Sequence, residues 1–311
     1  MFESNIASNI LAATPALDVI PAPTTDTFAR FLRDRIGSEN VVFVSGTDCY
    51  GSPVIETFRK LKAEGKDIVS LGAGEPDFKT PEIIRNAAKE AIERGKTKYV
   101  APTGLEEVRK AVANKLQKEN GLSYSANQIV LTSGAKQAVF NSLAALINPD
   151  DEIIIPAPYW VTYPELVKWF KGVPIFIETT PESAFKITLE QLKNAITEKT
   201  KAVILNNPCN PSGAVYSPKE LKALSEVIVD NDLFCISDEI YEHFCYETEF
   251  ASIASFTGMY ERTILINGFS KSHCMTGWRI GYNALPETIA PLITKIQSQA
   301  IHPPSTPAQY G

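Results

Sequence analysis

The sequence predicts an α/β fold in which helices cover both faces of a mostly parallel, seven-stranded sheet, giving three layers. Seven short apolar runs recur along the chain, and helix-forming segments separate several of them. Continuous apolar strands that alternate with helices are typical of parallel sheets buried on both faces. The predicted strands are 129–132, 152–156, 175–178, 202–206, 233–237, 263–267 and 280–284.

Apolar spacing and end signals mark the predicted helices. Thr80 and Pro81 are typical of an N-cap followed by proline at the first helical position. A second amphipathic face begins at Leu105, and its helix ends at Gly121. Further helices are predicted over 136–147 and 218–231, and the apolar face of the first helix consists of Ile83, Ile84, Ala87, Ala88, Ala91 and Ile92.

Composition argues against several classes of protein. A chain of 311 residues with 44% hydrophobic content can bury the core of one large domain or two ordinary ones. A net charge of −6 and a pI near 5.3 favour neither nucleic acid nor an anionic membrane as partner. No apolar run is long enough to span a membrane. The five cysteines lack CxxC spacing and the three histidines lack metal-ligand spacing, so we expect a reduced, cytoplasmic protein without a metal site.

Polar residues follow four of the predicted strands. Lys271 follows one strand, and Asp238 and Tyr241 follow another. A Ser-Gly-Ala-Lys-Gln turn that begins at Ser133 follows a third strand, and a loop rich in Asn and Pro that contains Asn210 follows a fourth. Ligands of open α/β sheets gather beyond the carboxyl ends of the strands. We therefore expect these residues to converge on one polar ligand.

Lys271 and Arg279 lie in one loop and together suggest a pyridoxal phosphate enzyme. A lysine amine can form an imine with an aldehyde, and an arginine can hold a dianionic phosphate. Gly134 and Ala135 open a predicted helix and can direct backbone amides at the same phosphate. Each feature alone is as readily a surface cation or an ordinary helix start, so the prediction depends on their convergence.

Asp238, Tyr241 and Trp160 suit the ring of such a cofactor. A carboxylate beside the pyridine nitrogen keeps the ring protonated and improves it as an electron sink. Tyr241 can donate to the phenolic oxygen of the ring, and Trp160 can stack on its flat face. Taken singly, these residues are more often caps or packing residues.

Seven stretches, taken in order, carry a family resemblance that extends over about residues 68–311. They are AGEPDF, KTKYVAPTG, SGAKQA, PYWVTYP, NNPCNPSGAVY, SDEIYEH and NGFSKSHCMTGWRIGY. Together they resemble the class I aspartate aminotransferase family of fold type I, and its bacterial aspartate/prephenate branch in particular. The resemblance implies a homodimeric enzyme of amino acid biosynthesis. Such an enzyme moves an amino group from an aspartate-type amino acid to a 2-oxo acid through a pyridoxal phosphate aldimine on Lys271.

The resemblance also implies residue roles. Lys271, Asp238 and Tyr241 match the catalytic positions of the family. Tyr99 matches a tyrosine that reaches the phosphate of the neighbouring subunit. The positions that match cofactor contacts are Gly134, Ala135, Lys136, Trp160, Asn210, Asp238, Tyr241, Lys271, Arg279 and Tyr99, and those that match substrate contacts are Gly74, Trp160 and Asn210.

The chain departs from the family pattern in two places. Family members continue beyond the position of Gly311 with a small domain and an arginine that holds the substrate α-carboxylate. We therefore expect a cofactor-binding large domain over 67–311, a truncated small domain, and weak or absent transamination by this chain.

Residues 24–62 contain FARFLRDR and VVFVSGTDCYGSPVIETFRKLK, which resemble a fragment of a methionyl-type class I aminoacyl-tRNA synthetase. Residues 1–66 are accordingly expected to form a synthetase-like leader or an atypical N-terminal segment.

Other functions remain open on the sequence alone. One is a relative of the same fold that binds the cofactor without transaminating, and a product assay with aspartate and cysteine-type substrates would separate it. Another is a nucleotide-binding, synthetase-like module in residues 1–66, which ATP binding by that segment alone would support. A third is a fused or truncated reading frame without a stable fold.

Overall fold

The computed structural model describes residues 60–65 and 74–311, and the chain divides into two compact units. One unit includes the described residues 60–65, Gly74, Glu75 and Thr180–Glu182, and the other comprises Pro76–Thr179 and Ser183–Gly311. Residues 60–63 are helical. Most of the segment predicted to be synthetase-like therefore lies outside the described residues.

A single seven-stranded sheet forms the centre of the second unit, as predicted. The strand order is β1-β7-β6-β5-β4-β2-β3, and β7 runs antiparallel to both of its neighbours while the other pairs are parallel. The strands are β1 (Ile129–Thr132), β2 (Glu152–Pro156), β3 (Val173–Ile177), β4 (Thr200–Asn206), β5 (Phe234–Asp238), β6 (Thr263–Gly268) and β7 (Gly281–Ala284).

Helices connect most of these strands. Short 3₁₀ turns occur at Ala126–Gln128, Pro181–Ser183, Ile253–Ser255 and Thr276–Trp278. The α-helices among the described residues are α1 (Glu82–Glu93), α2 (Glu106–Asn120), α3 (Ala135–Leu146), α4 (Thr162–Trp169), α5 (Leu189–Ala195), α6 (Pro218–Asp230), α7 (Ala290–Ala300) and α8 (Thr306–Tyr310).

The sheet is covered on both faces, which confirms the predicted three layers. Successive strand residues point to opposite faces. Ile153 and Ile155 of β2 belong to a buried cluster with α3, α4 and α7. Ile154, between them, belongs to another buried cluster with α5 and α6. A third cluster packs α2 against β1 and β7.

Several element ends differ from the prediction by one or two residues. β3 begins at Val173 and includes Pro174, which is tolerated because β3 is an edge strand that needs no hydrogen bond from that position on its open side. β4 begins at Thr200, because the ladder with β2 extends through polar residues that the apolar pattern does not reveal. Gly121 ends α2 in the left-handed conformation, as predicted.

The start of α1 differs from the prediction in the role of Thr80. Pro81 is the N-cap, and the helix begins at Glu82. The Thr80 hydroxyl instead donates to the Cys274 carbonyl and accepts from Trp278 Nε1 at 3.0 Å. Thr80 therefore ties the start of α1 to the segment that follows β6, and it does not cap the helix.

The predicted apolar face of α1 is only partly buried. Ala88 and Ala91 are buried, but Ile83 is 80% exposed and Ile92 is 56% exposed. The helix packs against the five-residue α8, which is too short to cover the whole face. The apolar spacing predicted the helix correctly, but fewer of its apolar side chains are buried than the spacing predicted.

Among the described residues, no helix is long and apolar enough to cross a bilayer.

The four described cysteines, Cys209, Cys235, Cys245 and Cys274, are all free. Cys235 is fully buried in β5, where it acts as a small apolar side chain.

Glu239, directly after β5, is a buried carboxyl group that is 1% exposed. Its Oε1 accepts hydrogen bonds from Ser237 Oγ at 2.8 Å and from Ser252 Oγ at 2.7 Å, whereas Oε2 has no partner among the described residues. Burial is the main cause that raises the pKa of Glu239 to about 8, and the Ser252 bond opposes it. Glu239 is therefore protonated in the folded chain at neutral pH.

Replacing Glu239 by glutamine should stabilise the fold at neutral and mildly alkaline pH. The folded chain keeps the Glu239 proton up to about pH 8, whereas the unfolded chain loses it near pH 4.5, so stability falls as pH rises through that window. The neutral amide removes this loss, and Glu239→Gln should gain up to about 4 kcal/mol of unfolding free energy at pH 8.

Urea denaturation of both chains at several pH values measures this gain. The difference between them should shrink steadily towards pH 4.5, where the carboxyl is protonated in both states. The exposed Glu107→Gln on α2 serves as control and should show no such trend. A difference independent of pH would contradict the buried, protonated state of Glu239.

Candidate active site

The strand order brings six strand ends to one edge of the sheet. Because β7 is antiparallel and lies between β6 and β1, β1 runs in the same direction as the five strands β2 to β6. Their carboxyl ends share one edge, which is where ligands of such sheets bind. The first residue of β7 reaches the same edge, so Arg279 just before it lies there as well.

Asp238 ends β5, the middle strand of the sheet, and is 3% exposed. Its Oδ2 accepts a hydrogen bond from Tyr163 Oη at 2.8 Å, and its Oδ1 accepts from the Ile240 amide at 3.2 Å. Burial raises the pKa of Asp238 to about 6, while these two hydrogen bonds lower it. A cation placed against this carboxyl group would stabilise its ionised form.

The asparagines after β4 hold the end of β5 in place. Asn206 Nδ2 and the Asn207 amide both donate to the Asp238 carbonyl at 3.0 Å. Asn206 Oδ1 in turn accepts from the Asn210 amide at 2.7 Å. The predicted site residue Asn210 thus belongs to a loop that is hydrogen-bonded back to Asp238.

An aromatic pair lies next to Asp238. The rings of Trp160 and Tyr163 are 5.4 Å apart and meet edge to face. Lys136 Nζ, from the first turn of α3, lies 5.0 Å from the centroid of the Trp160 ring. These contacts bring together the residues that follow β1, β2 and β5.

Sequence reasoning assigned no role to Tyr163 or Asn206. Tyr163 is fully buried and donates the hydrogen bond to Asp238. Asp238 lies 75 positions further along the chain, so local spacing gives no signal for this bond. For Asn206 no local signal exists either, because its contact depends on the register of β4 with β5.

The turn that opens α3 requires glycine at two positions. Gly134 has a φ of +78°, and a Cβ atom there would lie 2.8 Å from Arg279 Cζ. Gly281 faces the same turn, and a Cβ atom there would lie 2.6 Å from the Ala135 nitrogen. Both glycines therefore let the helix start, the β7 backbone and a guanidinium group approach one another closely.

Arg279 packs directly on this turn. Its Nη1 donates to the Thr276 carbonyl at 2.8 Å, and its Nη2 lies 3.5 Å from the Ser133 carbonyl. Arg279 also has a left-handed φ of 55°, which is a strained backbone for a residue with a side chain and is common at functional sites. A guanidinium beside the N-terminus of a 12-residue helix is well suited to bind a phosphate.

Lys271 and Tyr241 meet at the ends of β6 and β5. Lys271 Nζ lies 6.0 Å from the centroid of the Tyr241 ring, and both residues are half-buried. Lys271 belongs to a tight turn in which the Cys274 amide donates to its carbonyl at 3.3 Å. An amine and a phenol thus stand close together on the same edge that carries Asp238.

Two further residues were predicted to contact the cofactor or the substrate. Tyr99 is 94% exposed, and its ring lies 5.9 Å from the ring of His302. Gly74 belongs to the other compact unit. The role of Tyr99 towards a neighbouring subunit and the substrate contact of Gly74 stay predictions.

Comparison with known protein families matches residues 66–311 to a model described as aminotransferase class I and II. A probable aspartate/prephenate aminotransferase of Aquifex aeolicus is 46% identical over 255 residues, which is 81% of this chain and 65% of the relative. An aspartate aminotransferase of Bacillus subtilis is also 46% identical with the same coverage. The chain thus spans less than two thirds of the length of these relatives.

Solved structures of aminotransferases are also similar to this chain. The aspartate aminotransferase of Thermus thermophilus with maleate has a TM-score of 0.78 and 44% identity, over 82% of this chain and 66% of that one. The aromatic aminotransferase of Pyrococcus horikoshii has a TM-score of 0.77 and 42% identity, over 81% of this chain and 68% of that one. The aminotransferase match covers residues 66–311. The resemblance of residues 24–62 to a synthetase is not supported by these comparisons.

A methyl group at Gly134 should weaken phosphate binding at this edge. In Gly134→Ala the new Cβ meets the Arg279 guanidinium, so Arg279 must move away from the first turn of α3. We expect the affinity for inorganic phosphate and for phosphate-bearing ligands to fall at least about tenfold, since several charge-assisted hydrogen bonds depend on this placement.

Gly95→Ala is the matched control for this substitution. Gly95 has a similar φ of +70° but no atom within 4 Å of the position of a new Cβ, so it carries the backbone strain without the contact. Calorimetric titration of both variants separates the two effects. Equal affinities in the two variants would show that Arg279 and Gly134 do not form a phosphate site.

Proposed function

This chain belongs to the family of class I and II aminotransferases, and we propose that it transfers amino groups with pyridoxal phosphate held at the carboxyl edge of its sheet. One observation carries the proposal: the buried pair of Asp238 and Tyr163 shares a sheet edge with Lys271 and Tyr241 and with the Gly134–Arg279 turn. The names of its relatives favour an aspartate-type amino acid and a 2-oxo acid as substrates. The cytoplasmic location stays a prediction.

The described residues fit pyridoxal phosphate in three respects. Asp238 is a buried carboxyl whose raised pKa a protonated pyridine nitrogen would lower. The turn at Gly134 leaves no room for a Cβ and brings Arg279 to the N-terminus of α3, which suits a phosphate. Lys271 offers a half-buried amine near a phenol at the same edge.

Pyridoxal phosphate supplies an electron sink that stabilises negative charge on the α-carbon of an amino acid. The chain supplies the rest. Lys271 Nζ would hold the cofactor, and its amine, when free, would serve as the base for the proton of the substrate Cα. Asp238 would hold a proton at the ring nitrogen, and Tyr163 fixes the orientation of Asp238 through its 2.8 Å hydrogen bond.

Other residues would position the ring. Tyr241 would donate from its phenol to the ring oxygen, and Asn210 would bind the same atom from the loop after β4. Trp160, which meets Tyr163 edge to face and has Lys136 Nζ over its ring, would cover one face of the cofactor. Arg279 and the amides of the α3 N-terminus would hold the phosphate.

Lys271→Ala should abolish the visible absorption band that the chain acquires with pyridoxal phosphate. The Lys271 amine is the group that this proposal assigns to the bond with the aldehyde, so the cofactor should be lost on dialysis. An unchanged band in Lys271→Ala would overturn the proposal. Absorption spectra before and after dialysis of both chains provide the measurement.

Asp238→Asn should keep the visible band and slow the spectral change caused by aspartate by at least about a hundredfold. An amide cannot stabilise a protonated ring nitrogen, and loss of one acid–base group costs rates of this order. Stopped-flow spectra with the loaded chain measure the step. The exposed Asp230→Asn at the end of α6 is the control, and it should react at the wild-type rate.

We infer further that the functional form is a homodimer in which Tyr99 reaches the phosphate of the neighbouring subunit. The 94% exposure of Tyr99 supports this inference, because a tyrosine with little cover from its own chain is available to another. Exposed apolar residues on α1, including Ile83 and Ile92, are also suited to an interface between subunits.

A mixture of Tyr99→Ala and Lys271→Ala chains tests the shared site. If each site combines Lys271 of one chain with Tyr99 of the other, a hybrid dimer holds one intact site and one doubly altered site. Cofactor affinity should then recover to the wild-type value in up to half of the hybrid sites, although neither variant recovers alone. Absence of recovery after verified subunit exchange would place both residues in one chain's site.

A further inference from the structure

Four polar side chains that the proposed mechanism does not use form one connected group. They are Lys115 and Asn120 of α2, Glu242 of the turn after β5, and Asn267 of β6, and we call them the Glu242 cluster. Glu242 lies at its centre, with only 5% of its side chain exposed. A carboxylate this deeply buried is costly unless its oxygens are well bonded.

Both oxygens of Glu242 are bonded. Oε1 accepts from Lys115 Nζ in a short ion pair and from Asn267 Nδ2 at 2.7 Å, while Oε2 accepts from Asn120 Nδ2 at 2.7 Å. Lys115 Nζ also donates to Asn120 Oδ1 at 2.8 Å, which closes a ring of contacts. One buried carboxylate therefore joins three segments that are far apart in sequence.

Two of these segments carry proposed site residues. Glu242 directly follows Tyr241, and Asn267 lies four positions before Lys271. Asn267 Oδ1 also accepts from the Gly268 amide at 2.7 Å, so the cluster fixes the backbone where β6 ends. The third segment is the last turn of α2, which packs on the sheet through Leu116.

Other titratable groups surround the cluster. Glu119 Oε2 lies 3.5 Å from Lys115 Nζ on α2, and His243 Nε2 lies 3.6 Å from Glu242 Oε1 on the turn after β5. His273, two residues after Lys271, also faces this group, and burial lowers its pKa, with the charge of His243 adding to the effect. The cluster thus links α2 to both segments through hydrogen bonds and ion pairs.

We propose that Glu242 is a positioning residue, and that its cluster with Lys115, Asn120 and Asn267 fixes the spacing between Tyr241 and Lys271. The inference rests on the proposed function, since the spacing matters only where both residues face one cofactor. The Lys271 amine lies 6.0 Å from the Tyr241 ring centroid in the present arrangement. A bonded carboxylate next to Tyr241 resists changes in that distance better than apolar packing does, because its hydrogen bonds are directional.

The double substitution Lys115→Met/Glu242→Gln tests the inference. It removes the ion pair without changing the net charge, so direct electrostatic effects on Lys271 largely cancel. A displaced Tyr241 donates less well to the ring oxygen, and this loss favours the protonated form of the lysine–cofactor bond. In the loaded chain, the midpoint pH of the visible absorption change should therefore rise by roughly one unit, a tenfold change in proton affinity.

Glu106→Gln/Lys110→Met is the matched control, because this exposed ion pair lies on the same helix α2. It should leave the midpoint at the wild-type value. Asn120→Ala, which removes a single bond to Glu242 and is expected to fold, should shift the midpoint in the same direction by a smaller amount. Hydrogen exchange at residues 239–244 and 267–275 should become faster in the double variant than in the control.

The outcomes separate this inference from the proposed function. A wild-type chain without a visible band overturns the cofactor proposal and the positioning role with it. A wild-type band together with an unchanged midpoint in both Lys115→Met/Glu242→Gln and Asn120→Ala overturns the positioning role alone. A raised midpoint in these variants and an unchanged one in the control support it.

Discussion

The structure depends on a carboxyl group buried at the end of its central strand. Asp238 ends β5, which has three strands on either side, and almost none of its surface reaches solvent. Burial of an ionisable group opposes its charge, and the surrounding elements must compensate with hydrogen bonds. Tyr163 from α4 and the Ile240 amide bond the carboxyl oxygens, and the asparagines after β4 bond its carbonyl. The positions of α4, β4 and β5 are thus coupled through one residue.

The antiparallel strand β7 completes the site from the opposite side. It separates β6 from β1, and it carries Arg279 to the edge where the parallel strands end. The backbone of β7 can approach the first turn of α3 only because Gly281 and Gly134 lack Cβ atoms. The proposed phosphate site and the proposed ring site therefore lie on different strands of one sheet, and the strand register fixes the distance between them.

Much of the fold and of the site could be predicted from the sequence, for reasons that particular residues make clear. Strands such as Ile129–Thr132 and Glu152–Pro156 are buried on both faces, so each is a continuous apolar run whose ends are visible. Lys271 and Asp238 stand at strand ends, where a polar residue interrupts such a run. In contrast, the bond of Tyr163 to Asp238 and the contacts of Glu242 join residues far apart in sequence. Local spacing carries no information about such contacts, and Thr80 was misassigned for the same reason, since its partners follow β6.

Asp238 and Glu239 show how one strand end can serve two purposes. Adjacent residues of a strand face opposite sides of the sheet, so Asp238 meets Tyr163 while Glu239 meets Ser237 and Ser252. Burial raises the pKa of Asp238 to about 6 and that of Glu239 to about 8. A cationic ligand can restore the charge of the first group, whereas the second faces two hydroxyl groups and stays neutral at pH 7. Both acids stand at the edge where six strand ends meet, so position along the strand does not separate their roles. The partners of each side chain do: Asp238 bonds Tyr163 on the side of the proposed ring site, whereas Glu239 bonds two serine hydroxyls.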